Sequence, residues 1–268
     1  MRVYGRLILL AGLFAAPVAP AMAETLQDQQ ALVDRATLAA QEILDDAQGH
    51  DAREMLPRAR AVMICPRVFK AGFLFGGEGG GCVLLARGGQ GSWSSPAFYS
   101  VGGGSFGLQA GIQDAEVMML ILTTNGLRSV MDSQFRLGAN ASVALVTVGG
   151  GVEGATTTNL NADIVAFART RGLFAGVSLQ GSVMSSDSSG DALYYGQEVG
   201  PVDIVMAMRV NNPAADPLRA VLMRYGAPNA APLPPPPGAY YAPPPQQPMG
   251  YAAAPNGPVQ EQSLPPPR

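Results

Sequence analysis

Glycine is packed so densely into residues 66–107 that this stretch constrains the fold more than any other part of the chain. It reads Pro66-Arg67-Val68-Phe69-Lys70-Ala71-Gly72-Phe73, then Gly76-Gly77-Glu78-Gly79-Gly80-Gly81, then Trp93-Ser94-Ser95-Pro96-Ala97-Phe98, then Gly102-Gly103-Gly104-Ser105-Phe106-Gly107. Glycine accepts backbone angles that other residues resist, so such runs beside aromatics predict short strands joined by tight turns. Apolar runs at 61–65, 72–75, 82–86, 97–101 and 106–112 fit short strands, with 76–81 as a glycine loop. A longer apolar run at 115–122 predicts a buried strand, and 141–148 is apolar on both faces, which predicts deep burial. Strands are also expected at 164–169 and 173–180, around a turn at Thr170-Arg171-Gly172, and at 202–210.

Helical spacing is clearest at 24–48, where Leu26, Leu32, Val33, Ala36, Ala40, Ile43 and Leu44 recur on one face and Gly49 is a stop signal. The polar face is mostly acidic, so a helix packed on the domain is expected rather than a membrane-surface helix. Shorter helices are expected at 126–135, 191–196 and 217–225. The fold class is therefore α+β: a β-dominated single domain of short, mostly antiparallel strands, with an N-terminal amphipathic helix and a few short helices.

The two ends differ from this domain. Arg2 and Arg6 precede an apolar run from Leu7 to Ala19, and Ala21-Met22-Ala23 is a small-residue cleavage signal before Glu24. The apolar run is short for a membrane span. Residues 1–23 are expected to be a signal peptide, and the chain to be exported, periplasmic or membrane-surface associated, and not transmembrane after cleavage. At the other end, 227–268 hold 15 of the 23 prolines and only two charged residues, Glu261 and Arg268. No core forms from that composition, so 226–268 reads as a disordered proline-rich tail, or as a ligand for a proline-recognising partner. The folded domain is expected over 24–225.

Loss of Arg2 and Arg6 with the leader takes 17 basic residues to 15 against 20 acidic, a net charge of −5. A general nucleic-acid binder needs a broad basic surface, so nucleic acid is not an expected partner. Gly102–Gly107 and Gly149–Gly154 match G-x-G-x-x-G by letter, but neither leads into a helix that could hold a pyrophosphate. One histidine, His50, leaves no Ser-His-Asp triad and no ligand spacing for a metal. No enzyme activity, metal or cofactor is expected. The two cysteines, Cys65 and Cys82, would close a loop worth about 3 kcal/mol if bridged. In a simple meander of 61–65, 72–76 and 81–87, however, the outer strands lie roughly 10 Å apart, beyond disulfide reach. A bridge and two buried thiols both stay open.

The basic residues Arg53, Arg58, Arg60, Arg67 and Lys70 fall within one short span. On one face, Arg58, Arg60, Arg67 and Lys70 would form a site for anionic headgroups; otherwise they are scattered solubilising charges.

Several of these motifs occur together in the order of one known family. Ile64-Cys65-Pro66, Lys70-Ala71-Gly72-Phe73, the Gly76–Gly81 run and Gly91-Ser92-Trp93-Ser94-Ser95-Pro96-Ala97-Phe98 resemble the core of the SYLF domain. Gly107-Leu108-Gln109-Ala110-Gly111-Ile112-Gln113, Gly172-Leu173-Phe174-Ala175-Gly176-Val177-Ser178-Leu179-Gln180-Gly181 and Tyr194-Tyr195-Gly196 follow in the family's order. Arg171 stands where the family has lysine, Gln180 where it has glutamate, and the cysteines are not family features. Eukaryotic members bind phosphoinositides and some bind actin. The resemblance implies a β-rich domain and a non-enzymatic module for anionic phospholipid at a membrane surface. The alternative is a structural envelope protein whose proline-rich tail engages a protein or wall partner.

Overall fold

The computed structural model describes residues 24–46, 49–72, 75–89, 91–106, 111–148, 162–172 and 182–227. The leader, the Gly149–Gly154 run, the strand expected at 173–180 and the tail from 228 onward lie outside the described residues. The strands are β1 (Ala61–Gly72), β2 (Phe75–Ala86), β3 (Ala97–Phe106), β4 (Gly111–Ile121), β5 (Gln134–Arg136), β6 (Val143–Thr147), β7 (Ile164–Gly172) and β8 (Val183–Ser186). They form one eight-stranded sheet in the order β5-β8-β3-β2-β1-β4-β7-β6. Every neighbouring pair is antiparallel except β6 with β7. The helices are α1 (Leu26–Asp45), α2 (His50–Met55), α3 (Thr124–Met131), α4 (Ser188–Tyr195) and α5 (Asp216–Gly226). The α+β architecture agrees with the sequence expectation.

Strand alternation divides the apolar residues between two cores, one on each face of the sheet. Val62, Ile64, Val83, Leu85, Met118 and Leu120 pack with α1 and α5. Met63, Cys65, Leu84, Val117, Met119 and Ile121 pack on the other face with Val130, Phe135 and Ile204. Helix α1 starts where Thr25 and Asp28 form a reciprocal capping box. It buries Val33, Ala36, Ala40, Ile43 and Leu44 against the sheet. Its C-terminal carbonyls at Leu44 and Asp46 accept hydrogen bonds from the Arg53 guanidinium of α2.

The strands are longer than expected. Gly76–Gly81 is not a loop: it lies inside β2, paired with β3 along its length and with β1 over Gly76–Gly79. Likewise Gly102–Gly104 lies inside β3, and Thr170–Gly172 continues β7 instead of turning. Glycine keeps the backbone donor and acceptor that a ladder needs, so it permits strand as well as turn. The expected meander is thus one long β1–β2 hairpin. Its register pairs Ile64 with Val83 and so sets Cys65 directly opposite Cys82. The two cysteines form a disulfide, with Cα atoms 4.1 Å apart; the 10 Å separation came from treating 72–76 as an intervening strand.

Pro66 sits in β1, at the centre of the sheet, where its missing N–H should break the ladder. A bulge accommodates it. Register shifts by one residue against β2 between Ile64 and Phe69, and against β4 between Cys65 and Val68.

Three further expectations are corrected. Residues 202–210 are not a strand but a π-helical turn at Val202–Met206, led in by Pro201, with Ile204 and Val205 buried. The helix expected at 126–135 ends at Met131, and Phe135 lies in β5. The segment 141–148 contributes β6, which packs on both faces but lies at the sheet edge and is only half-buried.

Candidate functional site

Past the Pro66 bulge, β2 and β3 lose most of their side chains to glycine. On the α1 face, the glycine-rich part of β2 forms the floor of a groove of about 490 Å³, walled by Leu32 and Arg35 of α1 and by Pro66, Arg67 and Phe69 of β1. A methyl group on Gly81 would lie 2.9 Å from the tip of the Leu32 side chain, so α1 packs closely over the glycine floor here. A second cavity of about 300 Å³ continues the groove between α1, β1, β4 and β7. Arg35 and Arg67 line both.

Arg67 is exposed, and its Nε donates to both carboxylate oxygens of Asp114 at 2.9 Å. That pairing raises the guanidinium pKa and holds the side chain over the Phe69 ring, 5.7 Å from its centroid. Deeper in the second cavity, Arg169 of β7 ion-pairs with Glu42 of α1 and lies 3.8 Å from Glu116 of β4, tying helix to sheet. The arginines at the mouth therefore differ in state: Arg67 has one anionic partner, and Arg35 projects from α1 into solvent.

The four basic residues singled out in the sequence do not share a face. Arg58 and Arg60 are exposed at the opposite end of β1, roughly 20 Å or more from Arg67 at the usual strand rise. Lys70 follows Val68 on the face away from α1. There it lies 3.9 Å from Glu78, its cross-strand neighbour, whose carboxylate also accepts a hydrogen bond from Ser182. Gly103 makes room for Glu78, since a methyl group there would meet its carboxylate at 2.6 Å. Only Arg67 of the four reaches the groove. Arg35 was missed because it comes from another element. Its signal was helical spacing: Leu32, Arg35, Ala39 and Glu42 line one side of α1.

The motif residues of the 93–98 and 194–196 segments have a structural task. Tyr195 donates to the carbonyl of Pro96 at 2.6 Å, and the Phe98 N–H donates to Asp191 at 2.9 Å. Tyr194 packs edge-on against Phe98, and Gly196 ends α4 in the left-handed conformation at φ 67°. Trp93 is buried in the same core as Phe98, with the Arg87 guanidinium 4.4 Å from its ring centroid.

His50, Asp51 and Glu54 bring ligand atoms within 4.8 Å of one another, but all three are exposed on a single turn of α2. No helix among the described residues is long and apolar enough to cross a membrane.

Residues 102–225 match the Ysc84 family, described as Las17-binding protein actin regulator. The chain is 31% identical over 172 residues to LAS seventeen-binding protein 3 of Saccharomyces cerevisiae, covering 63% of this chain and 37% of the relative. It is 31% identical over 171 residues to Protein YSC84 of the same yeast, covering 63% and 36%. To the human SH3 domain-containing YSC84-like protein 1 it is 29% identical over 156 residues, covering 58% and 46%. The chain thus spans less than half the length of these relatives, the first of which is named as a binding protein. The sequence resemblance and these matches agree: residues 102–225 carry a Ysc84 (SYLF) domain family match, and the chain is similar to members of that family.

Proposed function

We propose that this protein is a non-enzymatic binding module that attaches to anionic phospholipid at a membrane surface, with the groove beside α1 as its contact. The observation that carries this reading is the convergence of Arg35 and Arg67, from helix and strand, on the mouth of one glycine-floored groove. Guanidinium groups suit phosphate because they donate in a planar fork, and Arg67 keeps both terminal nitrogens free of Asp114 in its described hydrogen bonds. The remaining basic residues, Arg58, Arg60 and Lys70, contribute at most a diffuse attraction from other sides of the domain. We further propose cleavage after Ala23, export of the product, a domain over 24–225 and a proline-rich tail over 226–268; N-terminal sequencing of the exported protein should begin at Glu24.

Co-sedimentation of the exported chain with phosphatidylglycerol-containing vesicles, against phosphatidylcholine alone, tests the function at two salt concentrations. Arg35→Gln with Arg67→Gln should weaken binding to the anionic vesicles by roughly tenfold or more, with helical and strand content unchanged. Arg58→Gln with Arg60→Gln should weaken it far less. Equal losses in the two double variants would move the site away from the groove.

The names of the relatives favour a second reading, a protein partner. Deleting 226–268 separates the two. Vesicle binding survives the deletion if the groove is the contact, whereas loss of association with an envelope fraction on deletion favours a partner for the tail.

A further inference from the structure

Three large apolar side chains stand exposed around this groove: Leu38 at 59%, Phe69 at 40% and Ile112 at 61%. Leu38 lines the smaller cavity beside Arg35 and Arg67, and Phe69 lines the larger one. Ile112 lies opposite Ala71 and two residues before Asp114, the partner of Arg67, so it shares their face of the sheet. Beyond Phe69 the hairpin carries little that could cover them: Gly72 pairs with Gly76, and nothing lies within 4 Å of a methyl group placed on Gly77. Phe69 and Ile112 are therefore exposed at the end of the sheet, and Leu38 is exposed on α1 beside them.

We propose that this apolar rim enters the bilayer interface, so that attachment is partly insertion and not only attraction of headgroups. The inference rests on the lipid-binding reading above. The occupant is a bilayer because guanidinium groups and exposed apolar side chains gather around the same groove: Arg35 and Arg67 match the phosphates, and Leu38, Phe69 and Ile112 match the acyl chains beneath them. Helix α1 itself does not insert, since its Val33, Ala36, Ala40, Ile43 and Leu44 face is buried against the sheet. Insertion adds a term that scales with apolar area and resists salt, whereas the arginine term is screened.

The test uses the exported chain and vesicles of phosphatidylcholine and phosphatidylglycerol, with or without bromine at shallow acyl positions. Ile112→Trp should emit at shorter wavelength when vesicles are added and should be quenched by the brominated lipid, above the constant signal of buried Trp93. Phe69→Ser with Ile112→Ser should lose about tenfold or more in vesicle affinity, and the loss should persist at salt high enough to suppress the arginine contribution. Phe69→Leu with Ile112→Leu, which keep apolar tips, should lose much less affinity at high salt than the serine variant. If Ile112→Trp sediments with vesicles yet stays unquenched, or the serine variant binds like the parent at high salt, insertion is overturned while lipid binding stands. If the parent sediments with none of the vesicles, the lipid-binding reading fails and insertion falls with it.

Discussion

The two halves of the central hairpin are built from the same strands and have opposite contents. At the base, Ala61–Cys65 of β1 and Cys82–Ala86 of β2 are buried on both faces by apolar neighbours. Beyond Pro66, the same two strands carry glycines, Arg67, Lys70 and Glu78, and the face beside α1 opens into a groove. Backbone pairing runs through both halves, apart from the bulge. The difference is therefore in side chains, not in secondary structure. A glycine ladder is entropically costly and packs nothing; it persists here because the base half, pinned by the Cys65–Cys82 disulfide at the boundary, holds the register.

The largest effects should come from damage to the base. Phe98 of β3 lies opposite Val83 of the base, is fully buried, faces Tyr194 and lies in the same core as Trp93. Phe98→Ala should cost about 3–5 kcal/mol in urea denaturation, and a loss below about 1 kcal/mol would mean that the base half is not the anchor. Replacing Cys65 and Cys82 with Ala comes next. The bridge spans 17 residues of sequence, and its loss should cost about 3 kcal/mol. Amide exchange should then quicken more at Gly76–Gly81 than at Val83–Ala86. Equal acceleration in both halves would show that the disulfide does not separate them.

How far the sequence discloses this division depends on the range of the forces involved. Helix α1 is readable because its periodicity and cap are local: spacing at 26–44 and Thr25 with Asp28 suffice. The glycine runs mislead because glycine is compatible with both turn and strand, and only pairing with β1 and β3 decides between them. The disulfide geometry followed from that choice and failed with it. At the site, Arg67 is legible from its place beside Lys70-Ala71-Gly72-Phe73. Its fellowship with Arg35 is not, because that depends on where α1 crosses the sheet. Arg58, Arg60 and Lys70 are neighbours in sequence, yet strand length and alternation carry them to another end and another face.

A third effect is a pH dependence that arises in α4, beside Phe98. Asp191 is fully buried under Phe98, and its Oδ2 has no hydrogen-bond partner among the described residues. Burial pushes its pKa up from 3.8 to about 7, the Phe98 N–H opposes this, and Asp187 adds to it. The folded state thus holds a proton that the unfolded state has released between about pH 4 and about pH 7. Stability should fall as pH rises through that window and level off above it. Asp191→Asn keeps an acceptor for the Phe98 N–H and should remove this slope. Asp163, held down at about 2 by Thr123 and Ser142, has the opposite sign but acts below the window. A wild-type slope that survives Asp191→Asn would assign the titration to another group, with Glu24, also raised by burial, the next to test.

The finest test lies within the glycine half and asks which of its glycines are required by space. At Gly80 an added methyl group would lie 2.1 Å from the Arg67 carbonyl oxygen and 3.3 Å from the Val68 Cα, both backbone atoms of the bulge. Neither can rotate away, so Gly80→Ala should force the β1–β2 pairing apart locally and cost about 1–3 kcal/mol. At Gly77 the same methyl group meets nothing within 4 Å, and the residue is exposed. Gly77→Ala should therefore be neutral or stabilising by about 0.5–1 kcal/mol, because it removes freedom from the unfolded chain without a clash. The pair differ by three positions in one strand, so their difference isolates the bulge from the general cost of glycine in a sheet. If both substitutions destabilise equally, the whole glycine run is under one packing constraint and the opposition between a filled base and an open end is too simple. If Gly80→Ala alone is costly and also displaces Arg67 from Asp114, the bulge is what aims that guanidinium into the groove.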